Sequence, residues 1–198
     1  MELNFSENYI LENDKVKLLP LHSNHIKELI NVSRDESIWT YFFEHGKDIV
    51  SLTTYVKSAL KNRSLKKEYP FVIFDKTICQ YAGCTRFYEY SFDLQTLKLG
   101  HTWLGKQFQG TGLNKNAKFL LFQFAFDELQ VERIGFGAYS DNLVSIAAMK
   151  SVGCKEEGVL RNMFPSISGV GRTDAILMSI LKHEWDNSVK RQLKNKLI

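Results

Sequence analysis

The spacing of apolar and polar residues predicts mainly strands in the first half of the chain. Short alternating or continuous apolar runs are typical of strands, and two longer stretches have the spacing of amphipathic helices. The predicted strands are 14–19, 70–75, 79–89 and 96–104, with a short turn around Lys76, and the predicted helices are 23–32 and 49–63. We therefore expect one strand, two helices and then a meander of strands.

The period of the pattern changes at Leu113. From there, apolar residues recur at the third and fourth positions, which predicts a helix with one wide buried stripe that ends near Glu128. Ser140, Asp141 and Asn142 are residues that start helices, and Gly153 is a natural stop for the short helix between them. The remaining predicted elements are strands at 132–139, 154–163 and 173–181 and an amphipathic tail helix carrying Trp185, Val189 and Leu193.

The order of these elements bounds the fold class. No internal repeat occurs at a fixed period, and no linker rich in Pro, Gly or Ser divides the chain. We therefore expect a single domain over 1–198, an α/β (α+β) sandwich around one mixed sheet.

The most informative segment is the junction between the strand at 96–104 and the long helix. Two glycines separated by one residue open this helix, in the run Gln109-Gly110-Thr111-Gly112-Leu113-Asn114. Glycine lets the backbone approach a ligand closely, and the first N–H groups of a helix have no internal partner. Such a site binds a phosphate with the backbone itself, so we expect an anionic phosphate group at 109–114. The alternative is a helix start whose glycines serve tight packing.

Two other phosphate-binding loops fit less well. A dinucleotide fingerprint needs a third glycine at the position that Lys115 occupies. A Walker loop needs a hydroxyl residue after the Gly-Lys pair, and the run from Gly100 to Lys106 is followed by Gln107.

The wider context resembles a known family. The stretch LGHTWLGKQFQGTGLNKNAKFLLFQFAFDELQVERI is followed by DNLVSIAAMKSVGCKEEGVLRNMF and then by RTDAILMSILKHEW. This succession resembles the GNAT superfamily of acetyl-CoA-dependent N-acetyltransferases, and in particular its ribosomal-protein N-terminal (RimJ/RimL-type) branch. The resemblance covers about residues 96–186, the expected cofactor-binding core, and the earlier part matches more loosely. It implies a mostly antiparallel central sheet flanked by helices.

The resemblance also implies a set of residues that bind coenzyme A. The Q-x-x-G-x-G loop of the family binds the pyrophosphate, the end of the preceding strand offers backbone groups to the pantetheine arm, and the Asn of the D-N-x-x-S motif contacts the cofactor near the thioester. On this chain those positions are Gln109, Gly110, Thr111, Gly112, Leu113 and Asn114 for the loop, Trp103 and Leu104 for the strand, and Asn142 for the Asn.

The family reaction is direct attack of an amine on the acetyl thioester, which needs a neutral amine and a donor for the developing negative charge. Ser145, one turn after Asn142, is our candidate for orienting or protonating the sulfur; the alternative is a serine bonded to helix backbone. His101 is the candidate base, because Lys98 stands where many relatives have a carboxylate. The alternative for His101 is a packed or surface histidine.

Composition narrows the partners and the compartment. The N-terminus has no signal-peptide pattern and no apolar run could span a bilayer, while Cys79, Cys84 and Cys154 form a sparse, odd set. A cytoplasmic protein without membrane attachment and without a metal site is therefore expected. The net charge of +4 suits a phosphate-bearing ligand. Clusters of Lys and Arg along a sequence usually form a solvated face, however, so we expect no direct nucleic-acid binding.

The function expected from all of this is acetyl-CoA-dependent N-acetylation of a primary amine, first a protein or peptide N-terminus. The alternatives are a small amine, such as an antibiotic or a polyamine, and a non-catalytic coenzyme A-binding regulator. The tail helix could also pair with a second copy, which would make a homodimer.

Overall fold

One eight-stranded sheet forms the centre of the molecule in the computed structural model, which describes residues 2–197. The strands are β1 (Leu11–Glu12), β2 (Val16–Pro20), β3 (Glu68–Asp75), β4 (Gln80–Ser91), β5 (Thr96–Leu104), β6 (Arg133–Tyr139), β7 (Lys155–Pro165) and β8 (Arg172–Leu181). Their order across the sheet is β1-β2-β3-β4-β5-β6-β8-β7. All neighbours are antiparallel except β5 and β6, which are parallel, so the expected mixed, mostly antiparallel sheet is confirmed.

The helices cover both faces of this sheet. They are α1 (Ile26–Ser33), α2 (Ile49–Ser64), α3 (Leu113–Gln123), α4 (Leu143–Ser151), α5 (Lys182–Glu184) and α6 (Lys190–Lys194). Successive side chains of a strand point to opposite faces. Arg86 of β4 lies over the Tyr55 ring of α2, whereas the next residue, Phe87, stacks on Phe124 at the end of α3. Helices α2 and α3 therefore lie on opposite sides of the sheet.

The predicted elements are confirmed, with differences at their ends. Helix α3 begins at Leu113 as predicted, and a π-helical segment (Phe124–Glu128) continues it to the predicted end. The pattern did not predict β1, because its two residues are too few to show a period. The tail helix starts earlier than its apolar repeat, at Lys182, and it docks through the buried Trp185, whose indole N–H donates to Asp127 Oδ1 at 3.0 Å.

The parallel pair β5 and β6 is joined over only a short length. Thr96 pairs with Arg133, Leu97 with Ile134 and Lys98 with Gly135, and the pairing ends there. Beyond Lys98, β5 stays paired with β4 as far as Leu104, and β6 stays paired with β8 as far as Tyr139. The sheet consequently opens between the carboxyl ends of β5 and β6, next to the start of α3. We call this opening the strand divergence.

No helix within residues 2–197 combines the length and the apolar composition that crossing a bilayer requires.

Candidate active site

The loop before α3 adopts the backbone that its glycines permit. Gly110 has φ +75° and Gly112 has φ +83°, and Gly112 is the N-cap of α3. Side chains with a Cβ rarely adopt this left-handed conformation, so glycine is the residue that the loop needs at both positions. The two left-handed residues lie within three positions of each other, immediately before the first turn of α3.

The N–H groups of this loop and of the first turn of α3 form an unfilled donor set. Within residues 2–197, the backbone N–H groups of Gly110, Thr111, Gly112, Asn114 and Lys115 donate to no acceptor. A Cβ built on Gly110 would meet no atom within 4 Å, so the loop is open to a ligand. Donors at the positive end of a helix dipole attract anions, and the arrangement therefore fits a diphosphate.

Side chains of the loop hold its shape. The Gln109 amide donates to the Leu104 carbonyl at 2.9 Å, and the Thr111 hydroxyl donates to the Phe108 carbonyl at 2.8 Å. Gln109 therefore ties the loop to the end of β5, and its amide nitrogen is already engaged. Asn114, in the first turn of α3, has a buried Oδ1 atom with no partner among the described residues.

The fold adds Lys15, which the sequence reasoning missed. Its ammonium donates to the Thr111 carbonyl at 2.7 Å, so a cation lies beside the glycine loop. Asn13, two residues earlier, donates to the Asn116 side chain of α3 at 2.9 Å and fixes this segment to the helix. No local signal marks Lys15, because it is separated from Thr111 by 96 positions and meets it only through the packing of α3 on β2.

Trp103 and Leu104, at the end of β5, have buried side chains, so these two residues offer only backbone groups to the strand divergence. The Trp103 indole is 3% exposed and packs against Trp39 and Tyr55 on the α2 side of the sheet, and its Nε1 atom has no acceptor among residues 2–197. Leu104 is also buried. The predicted backbone role of Trp103 and Leu104 stays a prediction, with the Leu104 carbonyl already accepting from Gln109.

His101 occupies a bulge in β5. Cys84 pairs with Trp103 and Arg86 with Gly100, so β5 has one more residue than β4 in this interval, and His101 has φ +48°. Its ring lies edge-on to Tyr88 with centroids 5.3 Å apart. Burial, and then the charge of Arg86, lower the pKa of His101 to about 4. At neutral pH the imidazole is uncharged and can accept a hydrogen bond, but it is a weak base.

Helix α4 begins at the other side of the strand divergence. The Asn142 Oδ1 atom caps this helix by accepting from the Ser145 backbone N–H at 3.0 Å. This contact engages the Asn142 oxygen and leaves its amide nitrogen without an acceptor among the described residues. The Ser145 hydroxyl, half-buried, makes no hydrogen bond to any residue in 2–197. Asn142 and Ser145 therefore keep donors available for the roles predicted for them.

An aromatic wall stands beside the start of α4. Tyr139, the last residue of β6, stacks on Phe164 with centroids 4.5 Å apart, and Tyr41 and Phe43 contact it at 5.4 Å and 6.3 Å. The Tyr41 hydroxyl donates to the Asp141 carbonyl at 3.3 Å. Phe43 is 66% exposed, so the wall is open to solvent. Trp39, in contrast, is a core residue whose indole donates to the Ser33 carbonyl at 2.7 Å.

The two buried cysteines lack the features of reactive thiols, and the described residues contain no group of metal ligands. Burial raises the pKa of Cys84 and of Cys154 to about 12, so both are thiols at neutral pH, and Cys79 is exposed. In the part of the chain that the structure describes, no three His, Cys, Asp or Glu side chains are grouped as metal ligands.

Comparisons with known proteins point to one family. The family model described as an acetyltransferase (GNAT) domain matches residues 15–155. The putative ribosomal N-acetyltransferase YdaF of Bacillus subtilis (strain 168) is 33% identical over 84 residues, which are 42% of this chain and 45% of that protein. The match thus spans less than half of that relative.

Solved structures share the fold over almost the whole chain. A GCN5-related N-acetyltransferase from Brucella melitensis superposes with a TM-score of 0.88 at 24% identity, covering 97% of this chain and 86% of that one. Mycobacterium smegmatis RimJ, solved in complex with CoA-disulfide, superposes with a TM-score of 0.77 at 19% identity, covering 95% of this chain and 93% of that one.

Proposed function

Because the chain belongs to the GNAT acetyltransferase family, we propose that it transfers an acetyl group from acetyl-CoA to a primary amine, and that the acceptor is the N-terminal amine of a protein or peptide. The observation that carries the proposal is the donor set of the glycine loop. Five backbone N–H groups in the glycine loop and the first turn of α3 have no acceptor within residues 2–197. A bound diphosphate would supply the acceptors that these groups lack.

The residues present fit coenzyme A. The free backbone N–H groups of Gly110, Thr111, Gly112, Asn114 and Lys115 would hold the pyrophosphate, with Lys15 as the neighbouring cation. The divergence of β5 and β6 would hold the pantetheine arm, because β5 leaves backbone unpaired on that side. When bound, the cofactor supplies an acetyl group activated as a thioester.

The protonation state of the acceptor amine determines how much help it needs from the residues of this chain. An α-amine with a pKa of about 7.7–8.0 is about a tenth neutral at pH 7, whereas an ε-amine near 10.4 is neutral in only about one molecule in 2,500. A protein N-terminus therefore needs little help to lose its proton. His101, uncharged because burial and Arg86 lower its pKa to about 4, suits a hydrogen-bond acceptor better than a strong base.

The Ser145 hydroxyl is the group that we assign to the sulfur side of the reaction. It lies in the first turn of α4, has no partner among the described residues, and is held in place by the cap that Asn142 forms on the backbone of Ser145. A hydroxyl donates a hydrogen bond to a developing negative charge without needing a change in its own protonation.

Two observations support a polypeptide acceptor. YdaF, 33% identical over 84 residues, is described as a putative ribosomal N-acetyltransferase. The aromatic wall of Tyr41, Phe43, Tyr139 and Phe164 gives the mouth of the site an extended apolar surface, which suits the side chains of a peptide.

The test is a thiol-release assay with acetyl-CoA and a panel of amines. The panel contains peptides with free N-termini and blocked lysines, the same peptides with acetylated N-termini, and small polyamines. Release with the free peptides alone supports the proposal. Release with polyamines alone would replace the acceptor, and tight binding of acetyl-CoA without release from any amine would indicate a regulator.

A further inference from the structure

A buried lysine lies under the strand divergence. Lys118 is in the second turn of α3, and only 7% of it is exposed. Its ammonium nitrogen is 2.9 Å from Thr102 Oγ1 of β5 and 5.9 Å from the centroid of the Phe136 ring of β6. Both of these residues lie beyond the point where β5 and β6 stop pairing. The ammonium therefore bridges the two strands from below, where the sheet is open.

This ammonium has too few partners. An ammonium carries three donors, and within residues 2–197 only the Thr102 hydroxyl accepts from Lys118. No carboxylate among the described residues forms an ion pair with it. The thiol of Cys154, which interacts with Lys118, stays uncharged because burial raises its pKa to about 12. Two donors of a desolvated cation are thus left without acceptors.

The Thr102 contact fixes the direction of the ammonium. Thr102 Oγ1 is 2.8 Å from Thr85 Oγ1, and both hydroxyls lie 3.4 Å from the Gly100 carbonyl. If Thr102 accepts from Lys118 and donates to Thr85, then Thr85 can donate to Gly100, and each hydroxyl is satisfied. This series of hydrogen bonds holds one N–H donor of Lys118 on β5 and leaves its other two donors available to a ligand in the strand divergence.

The position of Lys118 on α3 links it to the glycine loop. Asn114 and Lys118 are four residues apart and lie on one face of the helix. Asn114 Oδ1 is buried without a partner among the described residues, so this face carries two unsatisfied polar groups in succession. They lead from the open N–H groups of the loop to the divergence, along the path that joins the pyrophosphate to the thioester.

We propose that Lys118 is a cofactor-binding residue whose ammonium donates hydrogen bonds to carbonyl oxygens of the pantetheine arm of coenzyme A, or of its acetyl thioester, in the strand divergence. This inference rests on the proposed function. A buried cation without a counter-charge destabilises the fold, and burial lowers the pKa of Lys118 to about 8, the mark of that cost. A neutral arm rich in carbonyl acceptors would complete its hydrogen bonding.

The test compares ligands with and without the arm. Dissociation constants are measured by calorimetry for coenzyme A, acetyl-CoA and adenosine 3′,5′-bisphosphate, which carries the nucleotide end alone. Lys118→Met keeps the unbranched apolar stem of the side chain, one atom shorter, and removes the ammonium donors. We expect it to weaken coenzyme A and acetyl-CoA at least tenfold, to leave the bisphosphate within about twofold, and to keep or raise the melting temperature.

Matched variants keep the result interpretable. Lys27→Met removes an exposed lysine from α1 and should leave all three affinities unchanged. Lys118→Gln retains an amide donor and should recover part of the affinity, and it replaces Lys118→Met if that variant does not fold. Loss for acetyl-CoA alone would place the contact on the thioester carbonyl, and equal loss for both would place it on the arm.

Three outcomes would overturn one or the other of the two claims. Equal affinity of the wild type and folded Lys118→Met for both coenzyme A and acetyl-CoA would overturn the role of Lys118 and leave the proposed function intact. Failure of the wild-type protein to bind either coenzyme A or acetyl-CoA would instead overturn the proposed function. A parallel loss for the bisphosphate would show a general distortion of α3 and would also overturn the assignment.

Discussion

The two ends of the candidate cleft are built in different ways. At the glycine loop, the groups offered to a ligand are backbone N–H groups, and their direction follows from two glycines and a helix start that are adjacent in sequence. At the strand divergence, the groups come from β5, β6 and α3, and no two of Thr102, Lys118 and Phe136 are near neighbours in the chain.

Because of this difference, the two ends of the cleft should respond differently to amino-acid substitutions. A backbone cradle survives most substitutions, because any residue other than proline supplies an N–H group, and only its glycines are sensitive. The divergence depends on side chains whose burial is costly, so a single substitution can remove its chemistry while the fold remains or gains stability. Each of the following experiments acts on one end and leaves the other as the internal control.

The largest effect is expected from Gly110→Trp. A Cβ at this position meets no atom within 4 Å, so the indole would occupy the space in front of the free N–H groups and not the protein core. The positive φ costs about 1 kcal/mol of stability. We expect the dissociation constant of acetyl-CoA to rise about 100-fold or more by calorimetry.

Gly169→Trp is the matched control for that variant. Gly169 has φ +79° and also meets nothing within 4 Å, but it lies in the turn between β7 and β8. Its affinity for acetyl-CoA should stay at the wild-type value. Wild-type affinity in a folded Gly110→Trp protein would show that the loop does not hold the pyrophosphate.

Ser145→Ala should act on the chemical step. The hydroxyl has no partner among residues 2–197, and the cap on α4 uses the backbone of Ser145, so the helix remains. We expect kcat to fall about tenfold with little change in KM for acetyl-CoA, measured by thiol release. An unchanged kcat would exclude Ser145 from the reaction, whatever the fate of KM.

Lys15→Met should have a smaller effect, confined to binding. The ammonium lies beside the loop and donates to the Thr111 carbonyl, so its loss removes a positive charge next to the proposed phosphate site. We expect a three- to tenfold weaker binding of coenzyme A at low salt, and a smaller difference at high salt because mobile ions screen the interaction. A defect that does not change with salt would point to a purely structural role.

The smallest effect on rate is expected for His101→Asn, which tolerates the positive φ at this position. The pKa of His101 is about 4 in the folded protein and about 6.5 in the unfolded chain. As the pH falls from about 6.5 to about 4, the unfolded chain takes up a proton that the folded protein does not, so the wild type loses stability in this window.

The asparagine variant should lose less stability over the same window, by up to about 3 kcal/mol at its acid end, in urea unfolding followed at several pH values. Its kcat should stay within about threefold of the wild type near pH 7.5. A loss of 100-fold or more in kcat, with a new dependence on buffer base, would restore His101 as the general base.

Local chemistry explains why much of the fold was predictable. β5 was predicted with the ends that the structure has, and α3 begins at the predicted residue, because the apolar period changes from two to nearly four at the glycine loop. The alternation of side chains between the two faces of the sheet was less informative along β5. The bulge at His101 inserts one residue, so the face of a side chain could not be counted across it.

The amino-acid sequence by itself determined the elements, the glycine loop at the start of α3 and the family, since each depends on residues that are adjacent or regularly spaced. Only the tertiary structure decided that β5 and β6 part after Lys98, that Lys15 reaches Thr111, and that Lys118 lies buried between Thr102 and Phe136. Those facts depend on which distant segments pack together. In the sequence, Lys118 cannot be distinguished from a surface lysine, because its burial depends on neighbours that only the tertiary structure brings together.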